Sequence, residues 1–184
     1  MRFKYFYLIF FLLLLAFSCH DRRANPSAVA QAKKLYGKKI KLPAEYLSIA
    51  SGEGVFSIDT ELSKPLKIVT YLDKNSCSEC ALKIFNHWEE LLKEVSGYSF
   101  GFIPIVFPND ISALKDAMSA LQIDFPLFYD KDNKFLKINK LEKTLARNRT
   151  FLLDANNKII VIGEPLASDE LWRVYKNTLK RLNE

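Results

Sequence analysis

The chain has few residues that bind transition metals: its 184 residues include three cysteines and two histidines. A structural zinc site takes four such ligands. Cys19 and His20 follow directly on an apolar leader, which leaves Cys77, Cys80 and His87 for a folded domain. This shortage of ligands argues against a zinc site, so the two closely spaced cysteines have to be interpreted as a pair.

Clustered positive charge is also missing, although the formal net charge is +6. Lysines and arginines are interspersed with acidic residues along the whole chain, and no internal repeat or low-complexity tract interrupts them. Interspersed charge is typical of a solvated surface with weak attraction to acidic partners. The sequence therefore predicts no nucleic-acid interface.

One apolar run stands near the start, at residues 5–15, behind Arg2 and Lys4. It is too short to span a bilayer comfortably. Small residues then lead into Cys19, an order that resembles the lipobox of a bacterial lipoprotein signal peptide. That resemblance implies that residues 1–18 are cleaved and that Cys19 carries lipid. A plain secretory signal or an uncleaved anchor stays open, and both would also export the domain, into a compartment that permits disulfides.

The most informative stretch is residues 67–95, where an apolar β-branched run of strand length precedes a polar elbow and then Cys77-Ser78-Glu79-Cys80. Apolar residues follow at helical spacing from Leu82 to Val95. The cysteines therefore fall in the first turn of a predicted helix, where unpaired N–H groups and the helix dipole stabilise a thiolate. Cys80, three residues on, can attack a mixed disulfide formed by Cys77.

The rest of the chain alternates predicted strands and helices. A helix at 27–36 ends at Gly37, and a hairpin of two strands surrounds the turn at 154–157. Ser168 is predicted to cap a last helix that buries Leu171, Val174, Tyr175, Leu179 and Leu182. The remaining predicted elements are an edge strand at 38–43, a strand at 55–58, a turn at 60–65, strands at 68–72, 99–107 and 124–130, a helix at 110–121, and a short helix or irregular crossover at 135–145.

Together these features resemble thioredoxin-fold proteins of the TlpA and redoxin type, and the leader further resembles that of thioredoxin-like lipoproteins of Bacteroidetes. The resemblance rests on the strand ending at Asp73, the CxxC pair, Phe125-Pro126-Leu127, and the hairpin that begins at Thr150. It implies an α/β fold with a central mixed sheet flanked by helices on both faces. Residues 19–26 would form a lipidated tether, 27–49 an extension and 50–184 the thioredoxin-like domain.

The resemblance also implies a function. Cys77 would be the attacking nucleophile and Cys80 the resolving thiol of an envelope thiol–disulfide oxidoreductase, with no cofactor beyond the redox-active Cys77–Cys80 disulfide. Its partners would be envelope proteins that carry thiols or disulfides and a second redox protein that resets the pair. The lipid on Cys19 would anchor the domain to a membrane of the bacterial cell envelope, facing the periplasm.

Supporting positions around the cysteines differ from the family pattern. Thioredoxins place a cis-proline before the strand that here begins at Thr150, and this chain has Arg149 there. A cis bond before a residue other than proline costs about 2.5–4 kcal/mol, so a trans bond is predicted. The family tryptophan before the first cysteine is Ser76 here, and the buried aspartate that assists proton transfer would fall at Tyr71.

Two charged residues within the cysteine stretch act in opposite directions. Lys83 occupies a place where TlpA-like proteins often have glutamate, and its charge would lower a thiol pKa, whereas Glu79 between the cysteines would raise it. A second hypothesis therefore stays open: a binding module of thioredoxin fold in which Cys77–Cys80 is a structural disulfide.

Two other redox chemistries fit the sequence less well. Peroxiredoxins have a hydroxyl residue three places before the reactive cysteine, and this chain has Lys74 there. Sco-like copper proteins use a histidine well beyond the cysteines, and no histidine follows His87. His87 itself is predicted to be a surface or boundary residue.

Overall fold

A computed structural model describes residues 26–42, 44–49, 57–73, 84–123 and 125–184. The helices in these ranges are α1 (Pro26–Leu35), α2 (Ile58–Ser63), α3 (Ile84–Glu94), α4 (Ile111–Leu121), α5 (Lys134–Ile138) and α6 (Asp169–Asn183). The strands are β1 (Leu47–Ile49), β2 (Lys67–Leu72), β3 (Gly101–Val106), β4 (Phe128–Asp130), β5 (Thr150–Leu153) and β6 (Ile159–Ile162). Among the described helices, none is long and apolar enough to cross a membrane.

The six strands form one mixed sheet in the order β1-β4-β3-β2-β5-β6. β2, β3 and β4 run parallel, while β1, β5 and β6 pair with antiparallel neighbours. β2 and β3 lie in the middle and are buried almost throughout, as their continuous apolar sequences indicate. The predicted central mixed sheet is confirmed.

Pro104 lies inside β3 without a bulge, opposite Thr70 of β2. Because a proline removes a ladder donor, a bulge at Pro104 or a strand that starts at Ile105 would be expected, and neither is present. N–H groups at Gly101 and Phe107 bond to the segment of β2, so the odd-numbered residues of β3 donate toward that side. The missing N–H of Pro104 falls on the other side, where pairing with β4 begins only at Ile105.

Two apolar cores cover the two faces of the sheet. On one face, Ile68 and Leu152 pack with Phe85 and Trp88 of α3 and with side chains of α4 and α6. On the other face, the alternate residues of the same strands pack with side chains of α1 and α5. Helices therefore flank the sheet on both sides, as predicted.

α6 begins where the sequence predicted, because the Ser168 hydroxyl accepts a hydrogen bond from the N–H of Leu171. Tyr175 and Leu179 are fully buried. The prediction that Val174 and Leu182 are buried is wrong, since each residue is 48% exposed. Trp172 is buried instead, and its side chain packs in the core on this face of the sheet.

Residues 38–42 do not form the predicted edge strand. Lys39 makes a single antiparallel bridge to Lys158. The side-chain amide of Asn139 then takes both backbone groups of Lys41, which diverts the chain from the sheet edge. Position 43, the last of the predicted strand, lies outside the described residues.

The predicted strand at 55–58 and the turn at 60–65 are also wrong over the described residues. Ser57 caps α2 by accepting a hydrogen bond from the N–H of Asp59. Acidic residues in the first turn then favour the helix through its dipole. Residues 55 and 56 lie outside the described part of the chain, and β1 was not predicted.

Candidate functional site

The candidate site lies where β2 ends and α3 begins. Asp73 is the last described residue after β2, and Ile84 opens α3. Residues 74–83 lie outside the described residues, and with them Ser76, Cys77, Glu79, Cys80 and Lys83; Cys19 lies outside them as well. The structure therefore describes the two ends of the cysteine stretch and the residues around those ends.

Arg149 is buried at the end of β2, with only 8% of its surface exposed. Its Nη1 lies 2.6 Å from the Asp73 carboxylate, and its Nε donates to the backbone oxygen of Thr144 at 2.9 Å. Nη2 reaches the backbone oxygen of Glu142 at 3.4 Å. The guanidinium group thus joins the end of β2 to the loop before β5.

The peptide bond before Arg149 is trans, as are all described peptide bonds, so the predicted trans bond is confirmed. Residues Ala146–Asn148 form a 3₁₀ turn that brings Arg149 alongside β2. The N–H of Tyr71 bonds to the backbone oxygen of Arg149, which continues the β2–β5 ladder past Thr150. Arg149 therefore stands at the position of the thioredoxin cis-proline with a trans bond, a backbone hydrogen bond to β2 and a charged side chain.

Thr150 joins a chain of polar groups on the face covered by α3. Its hydroxyl lies 2.9 Å from that of Thr70, directly opposite in the ladder, and donates to Oε2 of Glu164 at 2.8 Å. Both threonines are almost fully buried. A hydroxyl has one hydrogen to donate, so in this arrangement Thr70 donates to Thr150.

Glu164 is the functional candidate that the sequence analysis missed. Burial raises the pKa of its carboxyl group, and the hydrogen bonds from the Thr150 hydroxyl and the Leu166 backbone oppose that rise. Within the described part of the chain, its Oε1 is buried and has no hydrogen-bond partner. A carboxyl group in this setting can hold a proton to higher pH than an exposed glutamate can.

A signal for Glu164 was present in the sequence. The hairpin register brings Gly163 to Thr150, and the two are joined by the Gly163 N–H to Thr150 oxygen bond. An acidic residue next to Gly163 therefore had to lie close to Thr150, the first residue of β5. The thioredoxin pattern places its buried acid at the position that Tyr71 occupies here, so that pattern did not indicate Glu164.

Tyr71 lies on the opposite face and is 2% exposed. Its hydroxyl donates to Oδ1 of Asn133 at 2.8 Å and lies 3.4 Å from the Asp130 carboxylate, and its ring stacks on Phe135 at 5.4 Å. Burial, followed by the charge of Asp130, raises the pKa of Tyr71 far above its ordinary value. Tyr71 is therefore a neutral packing residue with no proton to exchange at neutral pH.

The described residues contain no cluster of three or more histidine, cysteine, aspartate or glutamate side chains that could hold a metal ion. His87 lies on the outer side of α3, with a side chain that is 69% exposed, 3.8 Å from Glu90. The predicted surface position of His87 is confirmed.

No protein-family model and no curated protein sequence matches this chain. Solved structures do resemble it. The C-terminal domain of a protein named as a thiol-disulfide oxidoreductase from Bacteroides thetaiotaomicron is 17% identical, with a TM-score of 0.56 over 79% of this chain and 97% of that one.

Two further structures have the same architecture. The thioredoxin domain of a thiol-disulfide oxidoreductase from Bacteroides vulgatus is 9% identical, with a TM-score of 0.51 over 64% of this chain and 81% of that one. A bacterioferritin comigratory protein from Xanthomonas campestris, studied for alkyl peroxide reduction, is 16% identical, with a TM-score of 0.51 over 78% of this chain and 96% of that one. At identities this low, the structural similarity establishes the fold alone. The predicted thioredoxin-like fold is confirmed.

Proposed function

We propose that this thioredoxin-fold protein is an envelope thiol–disulfide oxidoreductase with Cys77 as nucleophile and Cys80 as resolving thiol. One observation supports the proposal above all. The sequence places Cys77 four residues after Asp73, at the end of the central strand, and Cys80 four residues before Ile84, where α3 begins. A cysteine pair between a central strand and a helix N-terminus is suited to thiolate chemistry.

In the reducing direction, the Cys77 thiolate attacks one sulfur of a substrate disulfide. A Cys77–substrate bond forms, the substrate S–S bond breaks, and the second substrate sulfur leaves as a thiolate. The Cys80 thiolate then attacks the Cys77 sulfur, and the first substrate sulfur leaves. The substrate gains two electrons, and Cys77–Cys80 becomes a disulfide. The oxidising direction is the same sequence reversed.

Glu164 is the proposed proton acceptor for Cys80. Resolution requires that the Cys80 thiol lose its proton before its sulfur attacks. The Glu164 carboxyl lies on the face that α3 covers, at the end of the sheet where β2 leaves, and its pKa is raised by burial. In its ionised form it would take the Cys80 proton and later release it to solvent.

The cellular setting belongs to the same proposal. Residues 1–18 would be removed as a signal peptide, and lipid on Cys19 would anchor the domain in the bacterial envelope. Envelope proteins with thiols or disulfides would be the substrates, and another redox protein would reset the pair. Incorporation of labelled fatty acid into the full chain, and its loss in Cys19→Ser, tests the anchor.

Mixed-disulfide trapping tests the activity. In Cys80→Ser the resolving step is absent, so Cys77 should remain bound to substrate proteins as adducts that thiol reductants release. Cys77→Ser/Cys80→Ser is the matched control and should form none. If Cys80→Ser forms no adducts in envelope extracts, exchange with proteins is contradicted.

The second candidate is a binding module in which Cys77–Cys80 only stabilises the fold. The observation that favours it is Arg149, which puts a trans bond and a buried guanidinium group where the family has a substrate-contacting cis-proline. In that case the disulfide should resist reduction, and its removal should lower the free energy of unfolding by about 3 kcal/mol or less for so short a loop.

A further inference from the structure

Two segments of the chain carry positive charge that its other described residues do not. Residues 26–42 contain five lysines and no acidic residue, and residues 137–148 contain three lysines, one arginine and one glutamate. The other described residues comprise sixteen acidic and twelve basic ones. The excess of positive charge in the described part of the chain therefore comes from these two segments alone.

The fold places the two segments side by side, on the face of the sheet that α1 and α5 cover. The Gln31 side chain donates to the backbone oxygen of Lys143 at 3.0 Å. The side-chain amide of Asn139 bonds to both backbone groups of Lys41, and the ammonium group of Lys38 donates to the backbone oxygen of Asn139. Charge that looks interspersed along the sequence is thus gathered on one surface, which we call the basic face (residues 26–42 and 137–148).

Positive charges on the basic face repel one another without compensation from acidic side chains. Burial lowers the pKa of Lys38, and the nearby charge of Lys140 lowers it further. Within the described part of the chain, no basic side chain of this face forms an ion pair. A surface of this kind attracts an anionic partner.

Exposed apolar side chains lie among these lysines. Val29, Lys33 and Tyr36 follow one another at helical spacing, and the N–H of Tyr36 continues the helical hydrogen bonds of α1. Tyr36 is 65% exposed and Val29 is 40% exposed, and Leu145 of the second segment is also exposed. At the surface of a bilayer, apolar and aromatic side chains enter the boundary between headgroups and acyl chains while lysine ammonium groups reach the phosphates. This combination favours a lipid surface over an acidic soluble protein.

We propose that the basic face docks on the anionic headgroups of a lipid bilayer. The proposal goes beyond the redox chemistry and rests on the proposed function only for the envelope location that provides a membrane. Pro26, where α1 begins, follows Cys19 by seven residues. At about 3.6 Å per residue at most, the two Cα atoms are within about 25 Å of each other, so a lipid on Cys19 would keep α1 near the bilayer.

Lysine labelling of the full chain on vesicles tests the docking. The chain, purified in detergent, is reconstituted into vesicles of phosphatidylcholine alone or of equal parts phosphatidylcholine and phosphatidylglycerol. A water-soluble reagent acetylates exposed amines, and mass spectrometry gives the rate at each lysine relative to Lys180 of α6, on the opposite face of the sheet.

Three exposed lysines of the basic face, Lys33, Lys34 and Lys140, report the result. Each should be acetylated at least about fivefold more slowly on the anionic vesicles than on the neutral ones, because each lysine near an anionic surface contributes attraction of that order. High salt should remove the difference, because it screens charges at a surface.

Two double variants with the same change in net charge separate the basic face from the rest of the surface. Lys33→Glu/Lys140→Glu should abolish the protection of Lys34. Lys115→Glu/Arg173→Glu, at exposed positions of α4 and α6, should keep it. Tyr36→Ala removes an exposed ring and no charge, so it should weaken the protection at low and at high salt alike.

Equal acetylation of Lys33, Lys34 and Lys140 on the two kinds of vesicle would overturn the docking. Protection in a soluble envelope extract but not on anionic vesicles would also overturn it, and would assign the basic face to an acidic protein. Both outcomes are independent of Cys77 and Cys80. The absence of trapped adducts would overturn the exchange activity alone, and the absence of fatty acid on Cys19 would overturn the lipid anchor alone.

Discussion

Two buried carboxyl groups near the end of β2 differ in the number of hydrogen-bond donors around them. Glu164, on the face under α3, has few donors, and Asp130, on the opposite face, has several. Glu164 accepts from the Thr150 hydroxyl and the Leu166 backbone, and its Oε1 has no partner among the described residues. Asp130, on the opposite face, accepts from the N–H groups of Lys134 and Phe135, and its Oδ2 lies 3.4 Å from the Tyr71 hydroxyl. Both oxygens of Asp130 thus have hydrogen-bond donors, whereas one oxygen of Glu164 has none among the described residues and burial raises the pKa of that carboxyl group.

The difference between Asp130 and Glu164 separates a carboxyl group that stabilises the fold from one that is suited to proton transfer. Hydrogen-bonded carboxyl groups such as those of Asp130 and Asp73 tie elements of the fold together. An under-compensated carboxyl reduces stability when it ionises, and such groups are candidates for proton transfer. The following predictions test this division, from the largest expected effect to the smallest.

Asp130→Ala should cause the largest loss of stability. The residue is fully buried and caps the start of α5 through two N–H groups. Without the carboxylate these two buried N–H donors lose their acceptor, so the free energy of unfolding should fall by about 4 kcal/mol in urea titrations. Asp130→Asn keeps one acceptor oxygen and should lose clearly less; an equal loss would contradict the assigned role.

Thr150→Val should have a smaller effect, about 2 kcal/mol, because it removes one buried hydroxyl and keeps the shape. Glu164 would lose its side-chain donor, and Thr70 would lose its acceptor. Since the hydrogen bond from Thr150 lowers the pKa of Glu164, that pKa should rise further in the variant. Thr144→Val is a comparison at another buried threonine, whose described contact to Arg149 is through its backbone; it should leave the titration of Glu164 unchanged.

Glu164→Gln should change the pH dependence of stability. The folded protein has a raised pKa at this group, so the contribution of neutral Glu164 is fully present below the ordinary glutamate pKa and is lost as pH rises through the folded pKa. The variant should therefore be more stable than the parent at neutral pH, and the difference should vanish in acid.

Urea titrations at several pH values measure this difference, with Glu184→Gln at the exposed C-terminus as the control. The same Glu164→Gln variant should resolve mixed disulfides at least about tenfold more slowly, because glutamine cannot accept a proton. A parent protein that gains stability between pH 4.5 and neutrality through Glu164 would contradict the assignment of a raised pKa.

Lys176→Met should have the smallest effect on stability, about 0.5 kcal/mol, although its ion pair is as short as that of Arg149. Both partners are more than one third exposed, and the hydrogen bond from Lys176 is the main reason that the pKa of Glu94 is lowered. High salt should remove most of the effect. A loss well above about 1 kcal/mol would contradict the assignment of this ion pair as an exposed one.

Sequence patterns predicted the elements whose local signals agree with their packing. β2, α4, the hairpin turn and the Ser168 cap all appear within a residue or so of their predicted places, and Asn157 has the left-handed φ of 59° that its turn position favours. Each of these elements carries its signal in its own residues, which explains the agreement.

The failures have a different cause, because they depend on contacts with distant residues. The segment at 38–42 has a strand pattern, but Asn139, far along the chain, takes its backbone groups. Arg149 and Asp73 are 76 residues apart, and no local pattern indicates their ion pair. Glu164 is in the same position, since its importance depends on Thr150 and Thr70.

The most direct test of the proposed function is redox equilibration of the Cys19→Ser chain in glutathione buffers, read by the mass shift of alkylated Cys77 and Cys80. The account predicts a reversible midpoint between about −270 and −120 mV, the range of working exchange proteins of this fold. A pair that stays oxidised below about −300 mV would contradict it and indicate a structural disulfide.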